Sequence, residues 1–263
     1  MSALLPVLGA TLAATAALFF ALWLVSLALR DASIVDVFWG LAFVGIAATA
    51  WAVTPAPSAR ATVALALVAL WGGRLAAYLA WRNWGQGEDF RYQAMRRHHG
   101  ARFPWVSLYT VFGLQAALAW IVSLPVQAAI ASPGPAGLGA LDAVGVALFA
   151  IGLGFETVGD LQLARFKADP ANRGKVMDRG LWAWTRHPNY FGDAVVWWGL
   201  FALACATPGG WITALGPALM TFLLLRVSGV ALLERSIRKR RPDYEAYVRR
   251  TSAFFPRPPK RTP

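Results

Sequence analysis

The segment Arg186-His187-Pro188-Asn189-Tyr190-Phe191-Gly192-Asp193 stands between a charged loop and an apolar run from Ala194 to Cys205. Pro188 suits the first turn of a helix, where its missing N–H group costs no hydrogen bond. Asn189 and Asp193 are four residues apart, so they share one face of that helix. Polar and cationic groups at the edge of a lipid-embedded helix are costly unless something polar docks there. We therefore expect an anionic cofactor at this position.

The composition of the whole chain indicates a membrane protein. Hydrophobic residues make up 57% of the 263 residues and charged residues only 14%. A soluble domain could not keep so much apolar surface out of water, whereas long uncharged runs are typical of transmembrane helices. The 13 Trp residues suit the interfacial belts of such a protein. Cys205 is the single cysteine, so no disulfide framework is expected.

Seven apolar segments predict the fold class, which is an all-α polytopic integral membrane protein with seven transmembrane helices. Each segment has roughly the 20 residues that cross a bilayer core. The segments are 4–29, 33–52, 61–81, 105–127, 138–159, 188–206 and 210–232.

The basic residues are distributed unevenly between the two sides of the membrane. If the N-terminus lies outside, 22 of the 25 Lys and Arg residues fall on the cytoplasmic side. Cytoplasmic loops carry such an excess of positive charge. We therefore expect a multi-pass protein of a bacterial inner (cell) membrane, with its N-terminus outside and its C-terminus in the cytoplasm. The same bias explains the net charge of +12, so the expected partner is the lipid bilayer, without nucleic acid. A monomer is expected.

Ionisable residues near or inside the apolar segments are candidates for function, because a charge in lipid is costly. Asp36 lies near the start of the second segment and shares a helical face with Trp39. In the third segment Arg74, Tyr78 and Arg82 recur every four residues and so form one stripe.

Two further pairs of ionisable residues occur in the later segments. Glu156 and Asp160 are four residues apart near the cytoplasmic end of the fifth segment, and Arg226 and Glu234 are two turns apart in and after the seventh. Such residues can be interhelical ion pairs, or long side chains that reach the interface. Asp160 and Asp36 are too short to reach far, which favours a functional role for them.

Three other signals favour structural interpretations. Gly152-Leu153-Gly154 resembles part of a dinucleotide fingerprint, but no strand precedes it, so close helix packing is expected. His98, His99 and His187 are too few and too poorly spaced for a metal site, and none is expected. The basic tail Arg238-Lys239-Arg240-Arg241 suits anionic lipid headgroups.

Several short motifs carry a family resemblance. Between Gly152 and Pro256 they are the Asp160 region, Gly180-Leu181-Trp182, Asn189-Tyr190-Phe191-Gly192-Asp193, and Asp243-Tyr244 followed by Phe254-Phe255-Pro256. In the N-terminal half they are Ser33-Ile34-Val35-Asp36-Val37-Phe38-Trp39-Gly40 and Gly87-Glu88-Asp89-Phe90-Arg91-Tyr92. With these motifs the chain resembles the steroid 5-alpha-reductases, in the branch represented by bacterial membrane homologues.

The resemblance implies a fold and an activity. Members of that family are integral membrane enzymes of about seven spans that use NADPH to reduce the carbon–carbon double bond of a 3-oxo-Δ4 steroid. Residues 1–130 would then enclose a lipophilic, steroid-like substrate with their four spans. Residues 131–263 would bind NADPH with three spans, the cytoplasmic loops and the tail, within one integrated domain.

The resemblance also assigns cofactor-binding residues. Asn189 and Asp193 would hold the nicotinamide end, Asp160 matches a cofactor-binding acid, and Lys167 stands where the family has an arginine. The phosphates need cations and N–H donors, which the basic loop could supply. The expected cofactor-binding residues are Asp160, Gln162, Arg165, Lys167, Arg179, Arg186, His187, Asn189, Tyr190, Asp193, Glu234, Arg238 and Tyr244.

The substrate end is expected in the N-terminal half. By the resemblance, Asp36 matches the acid that engages the substrate carbonyl, and Tyr78 is the nearest tyrosine in the third segment. We expect a buried, protonated Asp36 to donate a hydrogen bond to the carbonyl as negative charge develops there. Arg74 would oppose this if it paired with Asp36. The expected catalytic residues are Asp36, Tyr78 and Arg74, and the expected substrate-binding residues are Asp36, Trp39, Tyr78 and Glu88.

Two other functions remain open on the sequence. An Arg-His-Pro-x-Tyr-x-Gly motif with a late Glu, here Glu234, also occurs in isoprenylcysteine carboxyl methyltransferases, which bind S-adenosylmethionine. That cofactor lacks phosphates and has less use for a cationic loop at 165–186. A non-catalytic lipid-binding or transport protein is the other alternative, and it predicts no tight nucleotide binding.

Overall fold

The computed structural model describes residues 4–134, 137–227, 230, 234, 237, 241 and 243–260. Helices account for 80% of the structure, and no β-strand occurs among the described residues. One isolated β-bridge, between Thr185 and Ser252, is found in this part of the chain. The prediction of an all-α protein is confirmed.

The chain divides into two compact units. The first comprises residues 1–142 and 203–216, and the second comprises residues 143–202 and 217–263.

The first unit contains a succession of apolar helices. They are α1 (Leu4–Leu29), α2 (Ile34–Val53), α3 (Ala59–Asn83), α4 (Phe90–His99), α5 (Phe103–Ser107), α6 (Leu114–Val122) and α7 (Leu124–Ala131). A π-helical turn, Leu108–Gly113, joins α5 to α6. A 3₁₀ turn, Gly210–Ala214, completes the unit.

Helices α2 and α3 cross at two glycines. A Cβ atom placed on Gly40 would lie 2.5 Å from the carbonyl oxygen of Gly72. The two backbones are therefore in direct contact at this point. Small residues permit such close approach between helices in lipid, where packing drives association.

Helix α4 differs from its neighbours in being polar. Its last turn carries Arg96, Arg97, His98 and His99, which do not suit a lipid core. Gly100 follows with a φ of +52°, a left-handed backbone that ends the helix. The apolar part of this region therefore begins at α5, as the sequence segment 105–127 predicted, although α6 ends at Val122.

A buried ion pair joins the start of α3 to residues 137–142. Arg60 donates to Asp142 from Nε at 2.6 Å and from Nη2 at 2.9 Å. Both side chains are only 2% exposed. Asp142 also accepts a hydrogen bond from the N–H of Gly139 at 2.8 Å. Two parallel bonds to one carboxylate give this pair a fixed geometry.

The second unit is built mainly on two long helices. Its elements are α8 (Ala140–Ala168, mostly in this unit), α9 (Leu181–Trp184), α10 (Pro188–Cys205, mostly in this unit), α11 (Leu215–Phe222) and α12 (Tyr244–Arg250). A π-helical turn, Leu223–Val227, extends α11.

Helices α8 and α10 contact each other through glycine. A Cβ atom on Gly192 would lie 2.5 Å from both the carbonyl oxygen of Gly152 and the backbone N of Glu156. A Cβ atom on Gly159 would lie 3.1 Å from the ring of Pro188. Gly152 and Gly159 therefore serve helix packing, as expected from the sequence, whereas nothing lies within 4 Å of a Cβ atom at Gly154.

Among the described residues, six regions are long and apolar enough to cross a membrane, which indicates a multi-pass membrane protein. They are Leu4–Leu29, Ile34–Val53, Ala59–Asn83, Phe90–Val122, Ala140–Ala168 and Gly210–Val227. Seven spans were expected, and α10 is the segment that is not among the six. It is a continuous helix of 18 residues, but Asn189 and Asp193 in its first turns lower its mean hydropathy.

Candidate functional site

The first turn of α10 brings together two residues that the sequence analysis assigned to the cofactor. The Asn189 amide donates a hydrogen bond to Asp160 Oδ1 at 3.1 Å. Asp160 lies in α8 and is only 4% exposed. The N–H of Tyr190 donates to Asn189 Oδ1 at 3.1 Å, which fixes the orientation of the amide. Asp193 is half-buried one turn further along the same helix.

The side chain of Gln162 binds the backbone at the start of α9. Its Oε1 accepts a hydrogen bond from the N–H of Leu181 at 3.0 Å. Gly180 has a φ of +58°, and a Cβ atom on it would lie 2.5 Å from Gln162 Nε2. Trp182 donates from its indole to the carbonyl of Gly159 at 3.0 Å. Gln162 therefore has a structural partner, and its role towards a cofactor stays a prediction.

Arg186 and Glu234 also bind protein groups. Arg186 Nε donates to Glu234 Oε1 at 2.7 Å. Its Nη1 donates to the carbonyl of Thr251 at 2.7 Å and to that of Val248 at 3.3 Å. Arg186 is buried, so its guanidinium stabilises the fold, whereas the sequence analysis had offered it to the cofactor phosphates.

His187 contacts the same carboxylate group, that of Glu234. Its Nε2 is 3.3 Å from Glu234 Oε1. The His187 ring is stacked on the Tyr190 ring, with centroids 5.5 Å apart and planes inclined by 8°. His187 is buried, with 3% exposed. The imidazole is thus held both at its edge and on its face.

The environment shifts the pKa of Glu234 and of His187 in ways that fit these contacts. Burial alone would raise the pKa of Glu234, but hydrogen bonds from His187 and Arg186, with the charge of Arg186, lower it to about 2. Burial lowers the pKa of His187, and the neighbouring Glu234 offsets this only in part. At neutral pH we therefore assign a negative charge to Glu234 and a neutral ring to His187.

A C-terminal strap, defined here as residues 251–257, binds the segment before α10. The N–H of Arg186 donates to the carbonyl of Ser252 at 2.9 Å, and the N–H of Arg257 donates to that of Trp184 at 3.0 Å. Thr185 Oγ1 donates to the carbonyl of Phe254 at 2.8 Å. The strap therefore fixes the backbone that leads into the first turn of α10.

Exposed cations lie at the end of α8 and in the loop that follows it. Arg165 and Lys167 are exposed at the end of α8, and Arg179 is exposed in the loop that follows. Tyr244, by contrast, is buried in α12, where its ring packs against that of Tyr247 at 5.7 Å. Arg238, the remaining expected cofactor residue, lies outside the described residues.

The first unit contains a second polar cluster, around Asp36. Asp36 Oδ2 accepts a hydrogen bond from Arg91 Nη2 at 2.6 Å, and its Oδ1 accepts from the Tyr92 hydroxyl at 2.8 Å. Gln115 Nε2 is 3.5 Å from the same hydroxyl. The sequence analysis expected Asp36 to act as a donor, whereas here it accepts two hydrogen bonds.

Glu88 lies close to this cluster but faces other partners. Its carboxylate accepts hydrogen bonds from the N–H of Ala32 at 2.9 Å and from Arg96 at 2.8 Å and 3.0 Å. Burial alone would raise the pKa of Glu88, but the bonds from Arg96 and Ala32 lower it below its usual value. Glu88 thus joins the loop before α4 to the start of α2, and its contact with a substrate stays a prediction.

The stripe on α3 is confirmed as a set of contacts. The guanidinium carbon of Arg74 lies 5.4 Å from the centre of the Tyr78 ring, and that of Arg82 lies 5.8 Å from it. Such distances suit cation–π attraction. Trp39 is half-buried and packs edge-on against Phe43, with ring centres 5.2 Å apart.

Sequence reasoning missed Arg91 and Tyr92 as partners of Asp36. They are 55 and 56 residues away along the chain, so no helical spacing connects them to it. The available signal was the motif Gly87–Tyr92, which the family resemblance singled out without giving these two residues a role.

The family relationship rests on one comparison. A family model described as "Protein of unknown function (DUF1295)" matches residues 22–251. The chain belongs to this family. The family is associated with steroid 5-alpha-reductase-like membrane proteins. No curated protein and no solved structure matches the chain.

The two clusters have different chemical capacities. In the second unit, Asp160 and Asn189 can bind a neutral polar group, and the exposed cations on the same unit can bind phosphate. In the first unit, the hydroxyl of Tyr92 and the carboxyl group of Asp36 can polarise a carbonyl oxygen.

Proposed function

We propose that this protein is an NADPH-dependent reductase of the carbon–carbon double bond of a 3-oxo-Δ4 steroid or a similar lipophilic enone. The observation that carries the proposal is the contact between Asn189 and the buried Asp160. These residues belong to different helices, and the family resemblance assigns both to one cofactor. Membership of DUF1295 supports the same direction.

The donor set of the second unit fits this cofactor. Asp160 can accept hydrogen bonds from a carboxamide, and Asn189 can both donate and accept. The phosphates would be held by exposed cations, for which Arg165, Lys167 and Arg179 are the candidates. Arg186, Gln162 and Tyr244 would act indirectly, because their described contacts are with other protein groups.

The first unit is proposed to bind the substrate carbonyl. The bound cofactor would supply a hydride to the β-carbon of the enone, and negative charge would develop on the carbonyl oxygen. Tyr92 can donate its hydroxyl hydrogen to that oxygen when the carbonyl replaces Asp36 as its acceptor. Asp36 holds the phenol in place before the substrate binds, and Gln115 would donate to the phenol oxygen at the 3.5 Å contact. Each such donor is worth about 10²–10³ in rate.

Ligand-dependent thermal stability tests the cofactor. A ligand that binds only the folded protein raises its melting temperature, and the shift grows with the logarithm of the ratio of ligand concentration to dissociation constant. Detergent-solubilised protein should be stabilised by NADPH more than by NADH, because exposed cations can bind the 2′-phosphate. If S-adenosylmethionine stabilised the protein and NADPH did not, the protein would be assigned as a methyltransferase instead.

Substitution of the cations sharpens this test. Arg165→Gln and Lys167→Gln should reduce the preference for NADPH over NADH. Lys260→Gln, which removes an exposed cation from the C-terminal end, is the matched control and should leave the preference intact. Binding of neither nucleotide, with retained lipid binding, would favour the non-catalytic alternative.

Turnover tests the reaction. Incubation with NADPH and a 3-oxo-Δ4 steroid should give a product heavier by two hydrogens, detectable by mass spectrometry. With deuterium on the transferable position of the cofactor, the label should appear at the β-carbon. Label at any other carbon would contradict the proposed direction of hydride transfer.

A further inference from the structure

One oxygen of the Glu234 carboxylate contacts two neighbouring side chains. Arg186 Nε lies 2.7 Å from Glu234 Oε1, and His187 Nε2 lies 3.3 Å from the same atom. An ionised carboxylate can only accept hydrogen bonds. Because the guanidinium of Arg186 forms an ion pair with this carboxylate at 2.7 Å, the carboxylate is ionised, and the proton in the contact with His187 lies on Nε2.

This contact determines the tautomer of His187. A neutral imidazole carries one proton, so a proton on Nε2 leaves Nδ1 as an acceptor. Burial favours the neutral ring by lowering the pKa of His187. The direction of the bond to Glu234 therefore decides which kind of group the other edge of the ring can bind.

Arg186 fixes the carboxylate in turn. Its guanidinium reaches Glu234 and also the carbonyls of Thr251 and Val248. Several bonds from a planar guanidinium leave little freedom for rotation. The carboxylate thus has a defined position relative to His187.

The face of the ring is held by Tyr190. The two rings lie nearly parallel, inclined by 8° with centres 5.5 Å apart. His187 is therefore constrained in position, in the plane of its ring and in its protonation, which is more than a packing role requires.

We propose that Glu234 and Arg186 are positioning residues that keep His187 in its Nε2–H tautomer, so that Nδ1 accepts a hydrogen bond from the carboxamide N–H of the nicotinamide. This inference rests on the proposed function. Three features favour that ligand group. Unprotonated Nδ1 can only accept a hydrogen bond, so it does not bind phosphate oxygens. It requires a ligand group that donates. In addition, His187 directly precedes the turn that carries Asn189. A buried acceptor also binds a donor more strongly than one in water does.

The tautomer can be measured without any cofactor. Nitrogen NMR of protein labelled at histidine distinguishes a protonated from an unprotonated ring nitrogen, and His187→Gln identifies the signal of His187 among those of His98 and His99. The Nε2–H form is expected for the wild type. In Glu234→Gln the amide can donate to Nε2, so the ring should shift towards the Nδ1–H form. An Nδ1–H ring in the wild type would overturn the inference.

Binding of two dinucleotides tests the ligand group. NADP⁺ has carboxamide N–H donors, whereas its 3-acetylpyridine analogue has a methyl ketone in that position. The wild type should bind NADP⁺ about tenfold more tightly, as expected for one hydrogen bond to a buried group. Glu234→Gln and His187→Gln should reduce this difference, leaving only the part that Asp160 contributes, and Lys260→Gln should keep it in full.

The outcomes separate the inference from the function on which it rests. Equal binding of both dinucleotides by the wild type would overturn the role of His187 and leave the reductase proposal standing. Binding of neither dinucleotide would overturn the reductase proposal, and the role of His187 towards a cofactor with it. A preference for NADP⁺ that survives in Glu234→Gln would overturn the positioning role of Glu234.

Discussion

Asn189 Nδ2 in α10 donates a hydrogen bond to Oδ1 of the buried Asp160 in α8 at 3.1 Å. A glycine in α8 permits this contact. Gly159 allows Pro188 and the N–H of Asn189 to approach α8, since a Cβ atom there would lie only 3.1–3.2 Å from them. The local backbone therefore brings the amide to the carboxylate.

Replacement of Asp160 tests this pair. Asp160→Asn keeps the size of the side chain but removes an acceptor and its charge. We expect the dissociation constant for NADPH to rise by about tenfold or more, because a hydrogen bond to a charged group is lost. Titration of protein fluorescence with NADPH measures the change.

An exposed carboxylate provides the control for that experiment. Asp169→Asn alters an exposed side chain that caps the turn Pro170–Asn172. It should leave the affinity for NADPH close to that of the wild type. Equal weakening by both substitutions would indicate a general effect of charge, and a specific role for Asp160 would be rejected.

We predict that Tyr92, and not Tyr78, donates a hydrogen bond to the substrate carbonyl oxygen. Tyr92→Phe removes the hydroxyl that contacts Asp36 and should lower the rate of enone reduction by about 10²–10³. NADPH binding should change little, because the residue is assigned to the substrate. Single-turnover rates with saturating NADPH measure the effect.

Tyr78→Phe is the matched substitution for Tyr92→Phe. A phenylalanine ring keeps the stacking surface for Arg74 and Arg82 and removes only the hydroxyl. We expect a smaller loss of rate than with Tyr92→Phe. The reverse order of the two rates would restore the original assignment from the sequence.

The sequence predicted much of the helical framework for a clear physical reason. Apolar runs of span length are a one-dimensional signal, and four predicted segments agree with the helices α1, α2, α3 and α8 within a few residues, apart from the later C-terminal end of α8. The predicted segment 188–206 also agrees with α10, but this helix is not among the candidate spans, because Asn189 and Asp193 place polar groups in its first turns. The features that suggested a site there are the same ones that weaken its signal as a span.

The partners of individual side chains were less predictable. The stripe of Arg74, Tyr78 and Arg82 follows from helical spacing and was found. The contacts of Asp36 with Arg91 and Tyr92 depend on how a loop returns to α2, which no local pattern encodes. Charge alone also suggested that all cations of the basic loop face the cofactor. In the structure Arg186 is buried, whereas Arg165, Lys167 and Arg179 are exposed.

The stability of the second unit should depend on the ionisation of Glu234. Its pKa of about 2 in the folded protein is below the ordinary value of 4.5. A carboxylate with a lowered pKa contributes stability above its unfolded value and loses it as the pH falls through the folded value. We therefore expect the melting temperature of the wild type to fall between about pH 4.5 and pH 2.

Glu234→Gln isolates this contribution. The variant cannot titrate at this position, so its melting temperature should change less across the same range, and the two curves should converge in acid. His187→Gln provides a second comparison. The pKa of His187 is lowered on folding, so its neutral form adds stability that is lost as the pH falls below 6.5. Parallel curves for wild type and Glu234→Gln would show that Glu234 contributes nothing to the acid transition.

The contact between α8 and α10 predicts a large effect of a single methyl group. A Cβ atom at Gly192 would lie 2.5 Å from both the carbonyl oxygen of Gly152 and the backbone N of Glu156. Backbone atoms cannot rotate away, so Gly192→Ala must separate the helices. We expect a loss of stability of about 1–3 kcal/mol, as for other overpacked interiors, and weaker binding of NADPH because Asn189 would move with α10.

Gly154→Ala, in α8 but away from its contact with α10, is the control. Nothing lies within 4 Å of a Cβ atom at Gly154, and alanine is favoured over glycine inside a helix by up to about 1 kcal/mol. This variant should be as stable as the wild type or slightly more so, with unchanged affinity for NADPH. Thermal unfolding in detergent measures both substitutions. If Gly192→Ala unfolded at the same temperature as Gly154→Ala, close approach of the two backbones would not be what holds α10 against α8.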